Sequence, residues 1–168
     1  MPATNYVADY LPLSIGLQSK TAQGRLIIHA KARQGWFITG QAGYIVRGNV
    51  KLDRQSYYTD RLHLTNEVLM SNVADFTART GYMKSNLILE VYGEQMNVLG
   101  GTDIRKNDMP FVSNRMVSTK VGAMVTVRTK LLGGLNFIAF GQKTLAGRNV
   151  GESTTVGGSL LYLTKFSR

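Results

Sequence analysis

Two histidines, ten carboxylates and no cysteine are the groups from which any catalytic centre in this chain would have to be built. The lack of cysteine removes thiolate nucleophiles, disulfides and thiolate metal sites. No phosphate-cradling glycine loop, HExxH, GxSxG or acidic calcium loop is present. His63 with a nearby serine would supply a base and a nucleophile, but a satisfied or exposed imidazole explains the residue as well. His29 falls on the polar side of its segment with Lys31, and one histidine without a spaced partner makes no metal site. Glu90 and Glu94 share a face four residues apart, which is about 13 Å along a strand. That is too far for an acid and a base working on one bond. Ion pairing with Arg79, Arg47 or Lys120 is the expected role. The residues therefore predict a protein that is not an enzyme and carries no cofactor and no metal.

What positions these charges is a pattern of period two. The chain has 168 residues, expected to form one domain over 1–168, with a formal charge of +10 and 43% apolar residues. No apolar run reaches six residues, so a membrane-crossing helix of roughly 20 residues is excluded. Residues 1–16 lack the basic patch and apolar stretch of a signal peptide, as expected of a mature chain or of a protein that is not exported. Helical spacing does not persist beyond a turn. Alternation does: Trp36, Ile38, Gly40, Ala42, Tyr44, Val46, Gly48, Val50 and Leu52 share a face, and Val117, Thr119, Val121, Ala123, Val125 and Val127 share another. Similar stretches cover 73–83, 87–98 and 153–166, with weaker ones at 11–20, 25–33 and 135–145. The fold class is all-β with about eight strands.

The connectors alternate in length. Those at 33–35, 83–86 and 130–134 are short, whereas 19–24, 53–61, 99–114 and 146–152 are longer or richer in charge, Asn and Gly. Antiparallel strands place alternate connectors at opposite ends, so one rim carries tight turns and the other carries loops. Outer-membrane barrels have this asymmetry.

Period two alone does not separate a membrane barrel from a soluble one, because only the sense of the faces differs. Their contents do separate them. The polar faces carry Arg47, Lys51, Asp75, Arg79, Glu90, Glu94, Lys120 and Arg128, both signs in numbers suited to pairing inside a lumen. The apolar faces carry no charge, as hydrocarbon demands, since Lys or Arg near the midplane costs roughly 2–4 kcal/mol. Trp36, Tyr82 and Tyr162 lie toward the short-turn rim, the depth that suits rings with a polar tip.

With its closing segment Val156 to Phe166, the chain resembles the small bacterial outer-membrane β-barrels of the OmpA and OmpX type. Tyr162 and Phe166 stand at alternate apolar positions, like the terminal signal read by the outer-membrane assembly machinery. Residues 100–111 and 147–151 are similar to loops of Bacteroidetes outer-membrane proteins. The resemblance implies an eight-stranded antiparallel up-and-down transmembrane β-barrel located in the bacterial outer membrane, in contact with the lipid bilayer. Lys20, Arg54, Arg61, Arg105, Lys106 and Arg148 then fall toward the loop rim, where they would meet lipopolysaccharide phosphates by charge-assisted hydrogen bonds. A structural or interaction role at the cell surface follows.

The alternatives are a soluble lipocalin-like barrel for a small ligand, a porin or transporter fragment of a larger barrel, and a lipid A-modifying enzyme using His63. Nucleic-acid binding is not expected, because exposed stacking aromatics are limited to Tyr57 and Tyr58.

Overall fold

Seven long strands form one antiparallel sheet in the computed structural model, which describes residues 19–107, 110–129 and 134–162. They are β1 (Thr21–Lys31), β2 (Trp36–Arg47), β7 (Val73–Lys84), β8 (Leu87–Val98), β9 (Val117–Arg128), β10 (Leu135–Arg148) and β11 (Thr154–Tyr162). Four two-residue strands, β3 (Val50–Lys51), β4 (Tyr57–Tyr58), β5 (Leu62–His63) and β6 (Glu67–Val68), lie between β2 and β7. The sheet order is β1-β2-β7-β8-β9-β10-β11, a meander in which every strand pairs with the next long one.

The expected closed barrel is not seen, because β1 and β11 are the two edges of an open sheet. With seven strands, each antiparallel to its neighbour, these two edges run in the same direction. They cannot close by the antiparallel pairing used everywhere else in the sheet. Most of the expected first strand, Leu11–Lys20, lies outside the described residues. The expected loop 19–24 is corrected: Thr21 already pairs with Arg47, and the ladder runs unbroken to Lys31 opposite Phe37. Eleven consecutive backbone pairings outweigh the loop-like composition of that stretch. Strand β2 ends at Arg47 rather than Leu52: Gly48 still donates to the Lys20 carbonyl at 2.7 Å, but beyond it Val50 pairs with Val68 outside the sheet.

The register staggers steadily across the sheet. One row joins Trp36, Tyr82, Leu89, Val125, Ala139 and Gly158. Trp36 opens β2, whereas Ala139 is the fifth residue of β10, so the short-turn rim runs obliquely to the rows. Tilted strands of barrels have this geometry.

The two faces differ in crowding. On the charged face a Cβ at Gly43 would strike the Asp75 carboxylate, at Gly81 the Leu89 carbonyl oxygen and then the Phe37 ring, at Gly122 the Tyr92 ring and at Gly157 the Phe140 ring. On the apolar face a Cβ at Gly24 or Gly40 would meet nothing within 4 Å. Side chains converge on the inside of a curve and diverge on its outside, so the sheet bends toward its charges. Phe137-Ile138-Ala139-Phe140, apolar on both faces by sequence, follows the same rule: Phe137 points outward while Phe140 covers Gly157 inside.

The small hydrophobic core lies off the sheet. Residues 48–72 fold into a lobe on the two hairpin pairings β3–β6 and β4–β5, with Val50, Leu52, Tyr57, Val68 and Met70 buried against Phe111 and Val112. The lobe stands at the rim where β2 ends and β7 begins, opposite the short connection between β7 and β8.

Candidate functional site: the charged inner face

The inward-pointing residues of β2, β7, β8 and β9 alternate with outward-pointing ones because successive side chains of a strand take opposite faces. Arg79 on β7 lies between two carboxylates of β8, with Nη1 3.2 Å from Glu90 Oε1 and Nη2 3.9 Å from Glu94 Oε1. Its guanidinium also lies 5.4 Å from the centroid of the Tyr92 ring, which stands between those carboxylates in sequence. Gln142 of β10 donates to Glu94 Oε2 at 2.9 Å. Arg25 of β1 approaches Asp75 of β7 at 3.8 Å, reaching over Gly43 of β2. Glu90 and Asp75 keep only 10% and 20% of their side chains exposed, so these carboxylates sit under the cations rather than in open water.

Of the residues expected to form the lumen network, the structure brings Asp75, Arg79, Glu90 and Glu94 together. Arg47 is on the same face but donates through Nε to the Ser71 carbonyl at 2.6 Å instead of to a carboxylate. Lys120 stands in register with Glu94, and Arg128 ends β9 by the short-turn rim. Lys51 is a correction: it lies on β3 and pairs with Glu67 across the lobe hairpin, outside the sheet. The break at Gly48 puts it there. Sequence reading missed Arg25, Gln142 and Tyr92 as members, although each stands at an inward alternate position.

Outward, the seven long strands present Leu26, Ile28, Ile38, Tyr44, Val46, Phe76, Leu89, Val91, Val121, Val125, Val127, Phe137 and Leu160, all exposed. Val91 is 55% and Val46 49% exposed, although valine is ordinarily a core residue. Trp36 and Tyr82 meet edge to face with centroids 5.4 Å apart beside the short turn, and Phe137 and Tyr162 lie outward near the same rim. The first outward groups with aromatic-polar or fully polar tips on the other side are Tyr44, Gln95 and Lys143. Each stands nine residues from the turn residues Gly35, Asn86 and Gly134 respectively. Between these limits the outward face bears no ionised group.

At the loop rim Asp103 receives the Arg148 guanidinium through both oxygens, and Asn149 Nδ2 donates to the same carboxylate at 2.9 Å. These donors hold the Asp103 carboxyl down to about 2. Arg148, expected to be offered to phosphate, is thus engaged within the chain. Arg105 lies over the Tyr58 ring and donates to the Thr59 carbonyl, and Arg54 lies over Phe111. Lys20, Arg61 and Lys106 are exposed at this end. His63 stacks on Tyr57 at 4.6 Å and bonds the Thr59 hydroxyl at 3.1 Å. Among the described residues no group of three His, Cys, Asp or Glu gathers to hold a metal. Tyr162 is exposed at the end of β11, and Phe166 lies outside the described residues.

Comparison with protein-family models, with curated proteins and with solved structures finds no match.

Proposed function

We propose that this sheet is part of the wall of an outer-membrane β-barrel, with its apolar face against hydrocarbon and its charged face toward the lumen. The carrying observation is the inverted sense of the faces: outward valines, leucines and isoleucines of the sheet such as Val46, Val91, Leu89 and Ile38 are exposed, and Glu90 and Asp75 are covered. In water an apolar face of this extent is an aggregation surface; in a bilayer it is the favoured one. A soluble carrier would need Ala42, Val46, Val121 and Val125 inside, and all four are exposed on the opposite face from Glu90.

The dimensions support the reading. Nine residues at about 3.3 Å span roughly 30 Å along a strand, and a tilt of about 40° reduces this to a height of roughly 23 Å, close to the apolar band of about 25 Å in such barrels. Trp36, Tyr82, Phe137 and Tyr162 would form the aromatic girdle at the short-turn side. Exposed Lys20, Arg61 and Lys106 at the other rim are suited to lipopolysaccharide phosphates.

The open edges call for a wall completed by at least one further strand. An edge of unpaired N–H and C=O groups is not tolerated in hydrocarbon, and edges running parallel need an odd number of additional antiparallel strands between them. One added strand would complete an eight-stranded wall, and three or more a wider one of the porin or transporter kind.

Extraction and heat-modifiable migration test it. The protein should partition with membranes, require detergent for release, and migrate differently on a gel before and after boiling. A chain that stays monomeric in detergent-free buffer, with one migration at both temperatures, would contradict the proposal.

A further inference from the structure

The inner face is not electrically balanced. Among the described residues its cations are Arg25, Lys31, Arg47, Arg79, Lys120 and Arg128, and its carboxylates are Asp75, Glu90 and Glu94, six against three. All three carboxylates are taken up, Asp75 by Arg25 and both glutamates by Arg79. Among the described residues no carboxylate lies within ion-pair distance of Lys31, Arg47, Lys120 or Arg128. Lys31 instead reaches the Met83 sulfur at 3.4 Å, which leaves its charge uncompensated.

The placement of these four is not uniform. Arg47 and Lys120 stand toward the loop end of their strands, and Lys31 and Arg128 stand at the short-turn end. In register Lys120 is level with Glu94, and Lys31 shares the row of Phe37, Gly81 and Glu90. A solute crossing along this wall would meet unneutralised positive charge toward both ends, beside the paired charges. Arg25 and Arg79, already paired, keep 45% and 38% of their side chains exposed.

We infer that the lumen lined by this face passes small anions in preference to cations. The inference rests on the membrane-wall reading above and goes beyond it by naming the solute class. Rings of Arg and Lys favour anions because a low-dielectric wall strengthens their field in the water beside them. The ion-paired charges act as a structural brace rather than a binding site, so solutes are attracted by the unpaired cations without being held.

The test uses the protein extracted from membranes in detergent, in the assembly that closes its wall, reconstituted into lipid vesicles and planar bilayers under a potassium chloride gradient, with vesicle flotation and heat-modifiable migration measured on the same samples. Discrete conductance steps are expected, with a reversal potential of the sign set by chloride. Lys120→Gln and Arg47→Gln should each move that potential toward zero, and Arg47→Lys should leave its sign unchanged. Protein that floats and is heat-modifiable yet gives no steps, a potassium-set potential, or one indifferent to both glutamine variants would overturn the anion pathway alone. Protein that does not float at all would overturn the membrane reading beneath it.

Discussion

Arg79 and Glu90 face each other across β7 and β8 at 3.2 Å, with the carboxylate ten per cent exposed and the guanidinium also turned to Glu94. Arg79→Ala leaves both glutamates with their charge and without their cation. A loss of about 1–3 kcal/mol is expected, the range for a covered group deprived of its partner. The exposure of Arg79 keeps the figure in the lower half. Urea unfolding of the detergent-solubilised protein measures it, and Arg79→Ala combined with Glu90→Gln should recover part of the loss.

Val91 stands outward, five residues from Asn86, near mid-height of the apolar band. Val91→Arg should destabilise the membrane-inserted protein by about 2–4 kcal/mol, while the same change at Lys143 height would cost about 0–1 kcal/mol. In a water-soluble sheet, an arginine at so exposed a position would change stability by less than about 0.5 kcal/mol. Unfolding in vesicles compares the two.

Gly40 and Gly122 are both mid-strand glycines, but one faces open space and the other lies under the Tyr92 ring and near the Gly141 carbonyl. Gly40→Ala should be neutral or stabilise by about 0.5–1 kcal/mol, the ordinary gain on removing a strand glycine. Gly122→Ala should lower the yield of heat-modifiable protein. Equal behaviour of the two would mean that the sheet does not curve toward its charges.

The Asp103 clasp gives a pH dependence. Its carboxyl is held down to about 2 from an ordinary value of 3.8, first by the Arg148 hydrogen bonds and then by Asn149. A depressed carboxylate contributes stability that is fully present above its unfolded value and is lost as the pH falls through the folded one. The connection 99–116 should therefore stay protected from proteolysis at neutral pH and loosen between about pH 4 and pH 2. Asp103→Asn should loosen it at all pH values.

The long strands were legible because the two faces of the sheet carry different kinds of side chain, which writes period two directly into 36–47, 73–84, 87–98 and 117–128. The glutamates' pairing with Arg79 was legible for the same reason, since β7 and β8 are joined by a short turn that fixes their register. Lys51 was misplaced because the alternation of β2 continues formally through Gly48 to Leu52, while the actual backbone leaves the sheet at Gly48. The lobe left no local signal: Val50, Tyr57, Val68 and Phe111 meet only in three dimensions. Closure was expected from a count of eight, but pairing at the edges is a property of the whole sheet, and a single sequence does not state it.

Trp36 is the single tryptophan of the chain and stands outward on the apolar face beside Tyr82. The most direct test of the membrane orientation is its fluorescence in vesicles containing brominated phospholipids. The expected result is a blue-shifted emission that bromine on the acyl chains quenches and aqueous iodide does not. Emission untouched by the bromines and quenched by iodide as fully as in the unfolded chain would contradict it.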